Sequence, residues 1–344
     1  MNIVILDSVT ANPGDLSWDF LEKYGELTVY DRSPVDLIYE RAKDADIVIL
    51  NKTPMSRETV SKLPRLKMIA LLATGYNIID CEACDEYGIA VVNIPSYSAS
   101  AVAQQTFAFI LEFYNRIALH SDSVLSGEWA NYPDFCYMLA PLKELYNKTI
   151  GIVGYGKIGR RVAEIAKGFE MNVLVHTAHP EKYAEESISF VDRDYLLANS
   201  DIVSIHCPLT PETTKMVNRE FISKMKDGAF LVNTSRGGEL DEEAVKEALD
   251  SGKLAGAGVD VLSVEPPVPE NPLFHTKNIY ITPHIAWASY DTRKRLMEIL
   301  EDGKLSEDEQ EDFDRIYKEL EQVSMTVEAL QLWCEKMKIK TKDK

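Results

Sequence analysis

The sequence predicts an α/β protein built from two doubly wound parallel-sheet domains. Three features carry that reading. Short β-type runs alternate with helical stretches over the first hundred residues, and a second such series starts at Thr149–Val153. A glycine-rich turn, Gly154-Tyr155-Gly156-Lys157-Ile158-Gly159, follows the first strand of the second series directly. Strands alternating with helices argue for parallel sheets covered on both faces. At 344 residues, against a prior of roughly 150 per domain, about two domains are expected.

In the first series the expected strands are Ile3–Leu6, Leu27–Tyr30, Ile47–Leu50, Met68–Leu72 and Ala90–Asn93, with helical spacing at Pro34–Lys43 and Thr59–Leu63. The turn-rich Asn93–Ser98 reads as a crossing between domains. After it, the dense apolar face of Ala101–Ala103 and Phe107–Leu111 predicts a helix from about Ser100 to Leu119. The second series runs through Thr149–Val153, Asn172–Val175, Ile202–Ile205, Ala229–Val232, Ala257–Val261 and Ile279–Ile281, six strands in one domain. The Pro-rich Glu265–Glu270 stretch is too short for a linker and reads as a functional loop.

Composition narrows the function classes. Hydrophobic residues make up 45% and charged residues 27%, ordinary globular values. Lys plus Arg total 37 against 55 Asp plus Glu, a formal charge of −18 that repels phosphate backbones and anionic lipid. Neither nucleic acid nor a membrane is expected as a partner. Apolar runs fall far short of the ~18 residues of a bilayer span. Met1–Leu6 lacks a basic leader and is cut by Asp7, so it reads as a first strand of a cytoplasmic protein. Cys81 and Cys84 form a CxxC without further ligands at zinc spacing, and buried helix cysteines are expected there.

In the glycine-rich turn, Gly154 permits the tight bend, Gly156 lets the backbone approach a pyrophosphate, and Gly159 lets helix and strand pack closely. The following helix offers amides and a positive dipole end to phosphates. The acidic residue expected some 20 residues on, to hold a ribose 2′-OH, is missing. Thr177 stands in its place, with His176 and His179 beside it. The choice between NAD(H) and NADP(H) is therefore open.

Three further motifs each place a chemically able residue after a strand: Arg236 before paired glycines, Asp260 followed by Glu265, and His284 after Thr282-Pro. Ligands of open α/β sheets bind at the carboxyl ends of the strands, which puts these residues on the edge of the phosphate loop. Reducing a 2-keto acid needs a planar cation to grip the carboxylate, which suits Arg. It also needs a proton donor, which suits His, and a carboxylate to orient that ring.

With these motifs in place the chain resembles the D-isomer-specific 2-hydroxyacid dehydrogenase family over about Met1 to Leu300. The marks are Ala73–Asn77, Gly154–Gly159, Ser204–Thr210, Asn233–Gly238, Gly256–Val261 and Thr282–His284. Asp134–Tyr137 and Pro141–Leu145 look most like glycerate dehydrogenases, also called hydroxypyruvate reductases. The resemblance implies a Rossmann cofactor domain, residues 99–289, inserted into a split flavodoxin-like substrate domain, residues 1–98 and 290–303. It also implies a homodimer paired through the cofactor domain. It implies that Arg236 binds the substrate, that His284 gives a proton, that Glu265 pairs with His284, and that Asp260 holds the carboxamide end of the cofactor. The substrate-carboxylate loop maps to Ala73, Thr74 and Gly75. Cofactor contacts map to the Gly154–Gly159 turn, including Tyr155, Lys157 and Ile158, and to Thr177, Cys207, Pro208, Thr234 and Ser235. Hydroxypyruvate or glyoxylate would be the substrate. The alternatives are a corepressor-like binding protein of this fold that senses the dinucleotide, or a chain inactivated by its altered C-terminus.

The family's last elements are not recognisable after Leu300. Residues 304–344 read instead as a helical tail. Ser306 and Glu309 form a capping box, and an apolar seam runs from Phe313 through Leu320 and Val327 to Met337.

Overall fold

A computed structural model describes residues 1–94, 97–183 and 188–302. The expected tail from 304 to 344, with its Ser306 cap, lies outside the described residues. The described residues divide into two compact units, one comprising Met1–Tyr97 with Ala288–Asp302, the other Ser98–Trp287.

In the first unit the order is β1 (Asn2–Ile5), β2 (Glu26–Val29), α1 (Ile38–Ala42), β3 (Ile47–Leu50), α2 (Arg57–Val60), β4 (Met68–Leu71), α3 (Cys81–Glu86) and β5 (Ala90–Asn93). The strands form one parallel sheet in the order β2-β1-β3-β4-β5. Val4, Val48, Leu50, Ile69 and Leu71 pack on Ile38, Val60 and Ala83, while Ile3, Ile5, Ile49 and Ala70 bury on alternate positions. Burial on both phases of a period-2 pattern is what a doubly covered sheet requires. Each buried Val, Ile or Leu among them contributes about 1.5–3 kcal/mol. Beyond β1, the carboxylate of Asp7 accepts from the amides of Asn51, Lys52 and Thr53 at 2.5–2.8 Å, which fixes the turn after β3. The CxxC lies in α3, whose first turn Asp80 caps by accepting from the Ala83 amide. Cys84 is buried but Cys81 is exposed, so only half of the expected buried pair is found.

The second unit opens with α4 (Ala99–Asn115) and α5 (Ile117–Leu125). The single helix expected to Leu119 is thus two. Arg116 adopts the left-handed φ of 51° at the break, and its guanidinium donates to the Tyr280 hydroxyl at 2.6 Å. Then follow β6 (Thr149–Val153), α6 (Lys157–Gly168), β7 (Asn172–His176), β8 (Ser189–Phe190), α7 (Arg193–Asn199), β9 (Ile202–Ile205), α8 (Arg219–Lys224), β10 (Ala229–Asn233), α9 (Glu242–Asp250), β11 (Leu254–Val259) and β12 (Ile279–Ile281). Seven strands replace the expected six, because two-residue β8 is too short to show a period. Strand β11 starts three residues earlier than expected, at Leu254. Gly256 and Gly258, against which Phe113 and Phe109 press, dilute the β signal there.

All seven strands are parallel, in the order β12-β11-β10-β9-β6-β7-β8. One sheet face packs Val203, Ile205, Leu231 and Val259 on α7, α8 and α9. The other packs Ile150, Ile152, Phe230 and Val232 on α4 and α6. The strand order reverses between β9 and β6, and in such sheets the ligand crevice opens at the carboxyl ends of that pair. The helix α10 (Tyr290–Asp302) returns to the first unit, where Arg293 grips Asp15 with two bonds of 2.6 and 2.7 Å.

Candidate active site

Because the seven strands are parallel, every loop after a strand of the second unit leaves by one edge. That edge carries the glycine turn after β6, Thr177 after β7, Cys207 and Pro208 after β9, Thr234, Ser235 and Arg236 after β10, Asp260 after β11 and His284 after β12. The expected residues of this unit are gathered by topology alone. Ala73, Thr74 and Gly75 follow β4 of the first unit. There the Thr74 hydroxyl donates to the Ile94 carbonyl at 3.2 Å, and Asn93 Nδ2 donates to the Thr74 carbonyl at 2.7 Å.

The glycine turn fits a dinucleotide. Gly154 has φ +96°, and a Cβ on it would meet the His206 carbonyl at 2.5 Å. A Cβ on Gly159 would meet the Gly154 carbonyl oxygen at 2.3 Å, so both are required by packing. A Cβ on Gly156 would meet nothing within 4 Å, leaving room for a group to approach that backbone. Helices α7, α8 and α9 start at Asp192, Asn218 and Asp241, whose side chains cap them. Helix α6 starts at Gly156 with no side-chain cap. A bound anion completes such an end.

The loop ends are tied to one another. Ser235 Oγ donates to the Cys207 carbonyl at 2.6 Å, joining the β9 and β10 ends. Buried Asn233 accepts from the Ser235 amide and donates to the Arg236 carbonyl, both at 2.9 Å, shaping the turn that presents Arg236. Thr234 meets Thr106 of α4, hydroxyl to hydroxyl, at 3.2 Å. Thr177 accepts at its hydroxyl from the His179 amide at 3.4 Å, and His179 pairs with Glu181 at 3.2 Å.

The segment that carries His284 is strained and heavily braced. His284 sits at φ +55°, a left-handed value unusual for a bulky residue. Its amide donates to the Asp260 carbonyl at 2.7 Å, and Trp287 Nε1 donates to its carbonyl at 3.0 Å. The Asp260 carboxylate, almost wholly buried, accepts from the Thr282 hydroxyl and from the amides of Ile285 and Ala286 at 2.9 and 2.8 Å. Burial raises the Asp260 pKa, against the lowering by those bonds. The side chain expected to face the cofactor thus has three bonds to the His284 turn. His284 Nδ1 lies 2.6 Å from Glu265 Oε2, and Glu265 Oε1 accepts from the Leu262 amide at 3.0 Å. A quarter of the His284 side chain stays exposed, so the ring is oriented but reachable.

Two neighbours are excluded from acid–base chemistry. Desolvation pushes the His206 ring down to about 3, so it is neutral at working pH. Burial pushes the Cys207 thiol up to about 12, so it is no thiolate. Residue-by-residue reading missed Asn233, Trp287 and Glu239. Glu239 is a fully buried acid in the turn that follows Arg236, and it accepts from the Arg236 amide.

Residues 107–286 match the model of the D-isomer specific 2-hydroxyacid dehydrogenase, NAD binding domain. The hydroxypyruvate reductase of Blautia hydrogenotrophica is 46% identical over 303 residues, covering 87% of this chain and 94% of its own. The chain belongs to the D-isomer specific 2-hydroxyacid dehydrogenase family. It is accordingly an oxidoreductase with a nicotinamide dinucleotide cofactor. A D-lactate dehydrogenase from Aquifex aeolicus, solved with NAD and lactic acid, superposes with a TM-score of 0.74 at 30% identity, covering 94% of this chain and 97% of that one. An acyclic imino acid reductase solved with NADPH and D-Arg superposes with a TM-score of 0.76 at 32% identity, covering 88% and 95%. Structures of this likeness thus hold either dinucleotide. Among the described residues, no group of His, Cys, Asp and Glu could hold a metal ion, and no helix is long and apolar enough to cross a membrane.

Proposed function

We propose that this dehydrogenase reduces hydroxypyruvate or glyoxylate to the D-2-hydroxy acid, with His284 as proton donor. The observation that carries the reading is the 2.6 Å contact between His284 Nδ1 and Glu265, on the strand edge that also carries Arg236. With Nδ1–H donated to the carboxylate, His284 presents Nε2–H outward. Arg236 grips the substrate carboxylate and carbonyl with its planar fork of donors. The backbone amides of Ala73, Thr74 and Gly75, in the loop after β4, would offer donors to a substrate carboxylate. The dinucleotide, when bound, supplies the hydride that goes to the carbonyl carbon. His284 Nε2 gives its proton to the carbonyl oxygen, and Glu265 stabilises the ring while it is positively charged.

The turn Gly154–Gly159, with Tyr155, Lys157 and Ile158, would hold the pyrophosphate. Thr177 would face the adenosine ribose, and Cys207, Pro208, Thr234 and Ser235 would line the rest. Asp260, with acceptor capacity left on Oδ2, would hold the carboxamide. The similarity to a hydroxypyruvate reductase supports the substrate class. The enzyme pairs as a homodimer through this unit. In support, Leu125 at the end of α5 and Phe135 and Met138 in the arm between α5 and β6 are 82%, 87% and 72% exposed, apolar side chains that water disfavours. The test is an initial-rate panel of hydroxypyruvate, glyoxylate and pyruvate, each with NADH and NADPH. Pyruvate preferred over both other acids would refute the substrate assignment.

A further inference from the structure

We infer that Glu239, held as a neutral acid, is the residue that positions Arg236. This rests on the assignment of the substrate carboxylate to Arg236. Glu239 has no exposed surface, and a buried carboxyl is costly unless its atoms are bonded. Its Oε2 accepts from the Arg236 amide at 3.3 Å. Its Oε1 lies 3.2 Å from Ser235 Oγ and 3.8 Å from Cys207 Sγ. Ser235 Oγ also lies 2.6 Å from the Cys207 carbonyl.

A hydroxyl has one hydrogen, and Ser235 faces two oxygen acceptors. The shorter contact takes it. Oε1 then meets the Ser235 oxygen without a hydrogen unless the acid keeps its own. With that proton the chain closes: Glu239 donates to Ser235, Ser235 donates to the Cys207 carbonyl, and the other acid oxygen accepts from Arg236. Burial pushes Glu239 up to about 7, which agrees with the hydrogen count. The titratable groups facing it are Arg236 on its own loop and Cys207 on the β9 loop. The Lys215–Val217 segment is tied to Gly238 and Glu239 by backbone bonds of 2.8 and 2.9 Å, and brings Lys215 as its charged residue. Loss of the proton draws the Ser235 hydrogen away from Cys207 and sets a negative charge within electrostatic reach of Arg236, whose guanidinium must hold a carboxylate. Substrate affinity should therefore fall as pH rises through Glu239.

The experiment measures kcat and KM for hydroxypyruvate at pH 6 and pH 8.5. Glu239→Gln mimics the neutral acid, since its amide can donate to Ser235 while its oxygen accepts from Arg236. We expect it to keep the wild-type KM at pH 6 and to lose at least threefold of the wild-type rise in KM at pH 8.5. Glu239→Leu should raise KM about tenfold at both pH values with kcat within a few-fold, the mark of lost binding rather than lost chemistry. A Glu239→Gln enzyme with the wild-type KM ratio between the two pH values overturns the inference, even if the Leu variant fails to fold. Arg236→Lys separates the two readings. If it raises KM while both Glu239 variants behave as wild type, only the role of Glu239 falls. If it leaves KM unchanged, the carboxylate assignment falls and this inference with it.

Discussion

Asp260→Asn is a near-isosteric change that tests what holds His284. In the wild type one carboxylate oxygen accepts from the Thr282 hydroxyl and the Ile285 amide, and the other from the Ala286 amide. An amide group presents a donor where one of those oxygens stood. Thr282 can turn its hydroxyl and accept, but a backbone N–H cannot. One amide in the turn is therefore left unpaired in either orientation, at a cost of about 1–3 kcal/mol. Relief of the burial penalty that raises the Asp260 pKa offsets part of this, so the net loss should be about 1–2 kcal/mol. For a unit of this size that lowers Tm by roughly 2–8 °C. The loss falls on the segment that keeps His284 at φ +55°, a conformation that itself costs on the order of 1–3 kcal/mol. Relaxation of that strain should move the ring off its line with Glu265. A displacement of about 1 Å costs on the order of 100-fold in rate. The assay pairs calorimetric Tm with kcat for hydroxypyruvate. An Asn variant with both values unchanged would refute the view that Asp260 braces the turn.

Three shorter predictions follow from other parts of the molecule. Thr177→Asp should shift the ratio of kcat/KM values toward NADH, because a carboxylate accepts from a 2′-OH and repels a 2′-phosphate; an unmoved ratio would assign the choice to another loop. Glu239 should make folding stability fall with pH. Its pKa is raised from 4.5 to about 7, so between those values the unfolded chain releases a proton the native state keeps. The loss is up to about 3 kcal/mol at about 1.4 kcal/mol per pH unit, and denaturant titrations should show it in the wild type and not in Glu239→Gln. In the arm, Phe135→Asp combined with Met138→Lys should convert the proposed dimer to a monomer by light scattering, and an unchanged mass would refute an interface there.

The sheet scaffold was legible because each strand is a short apolar run bounded by polar turns. Ile47–Leu50, Ala90–Asn93, Thr149–Val153, Ile202–Ile205 and Ile279–Ile281 have the expected bounds. What escaped was local or long-range. Two residues at Ser189–Phe190 cannot show a period, and the kink at Arg116 depends on Tyr280, distant in sequence. The loops with Arg236 and His284 were legible because parallel topology sends every strand end to one edge. Their bracing was not, since Asp260, Trp287 and Glu239 act through bonds that no spacing announces. Glu239 illustrates the difficulty most clearly: nothing in its spacing sets it apart, and only its burial against Ser235 and Cys207 singles it out.

The proton donor is the central claim, and His284→Ala tests it most directly. With hydroxypyruvate and saturating reduced dinucleotide, kcat should fall by about 10²–10⁴-fold. The dinucleotide Kd, followed by fluorescence titration, should stay within a few-fold of wild type. A His284→Ala enzyme that binds the dinucleotide normally and keeps near-normal kcat would contradict the mechanism.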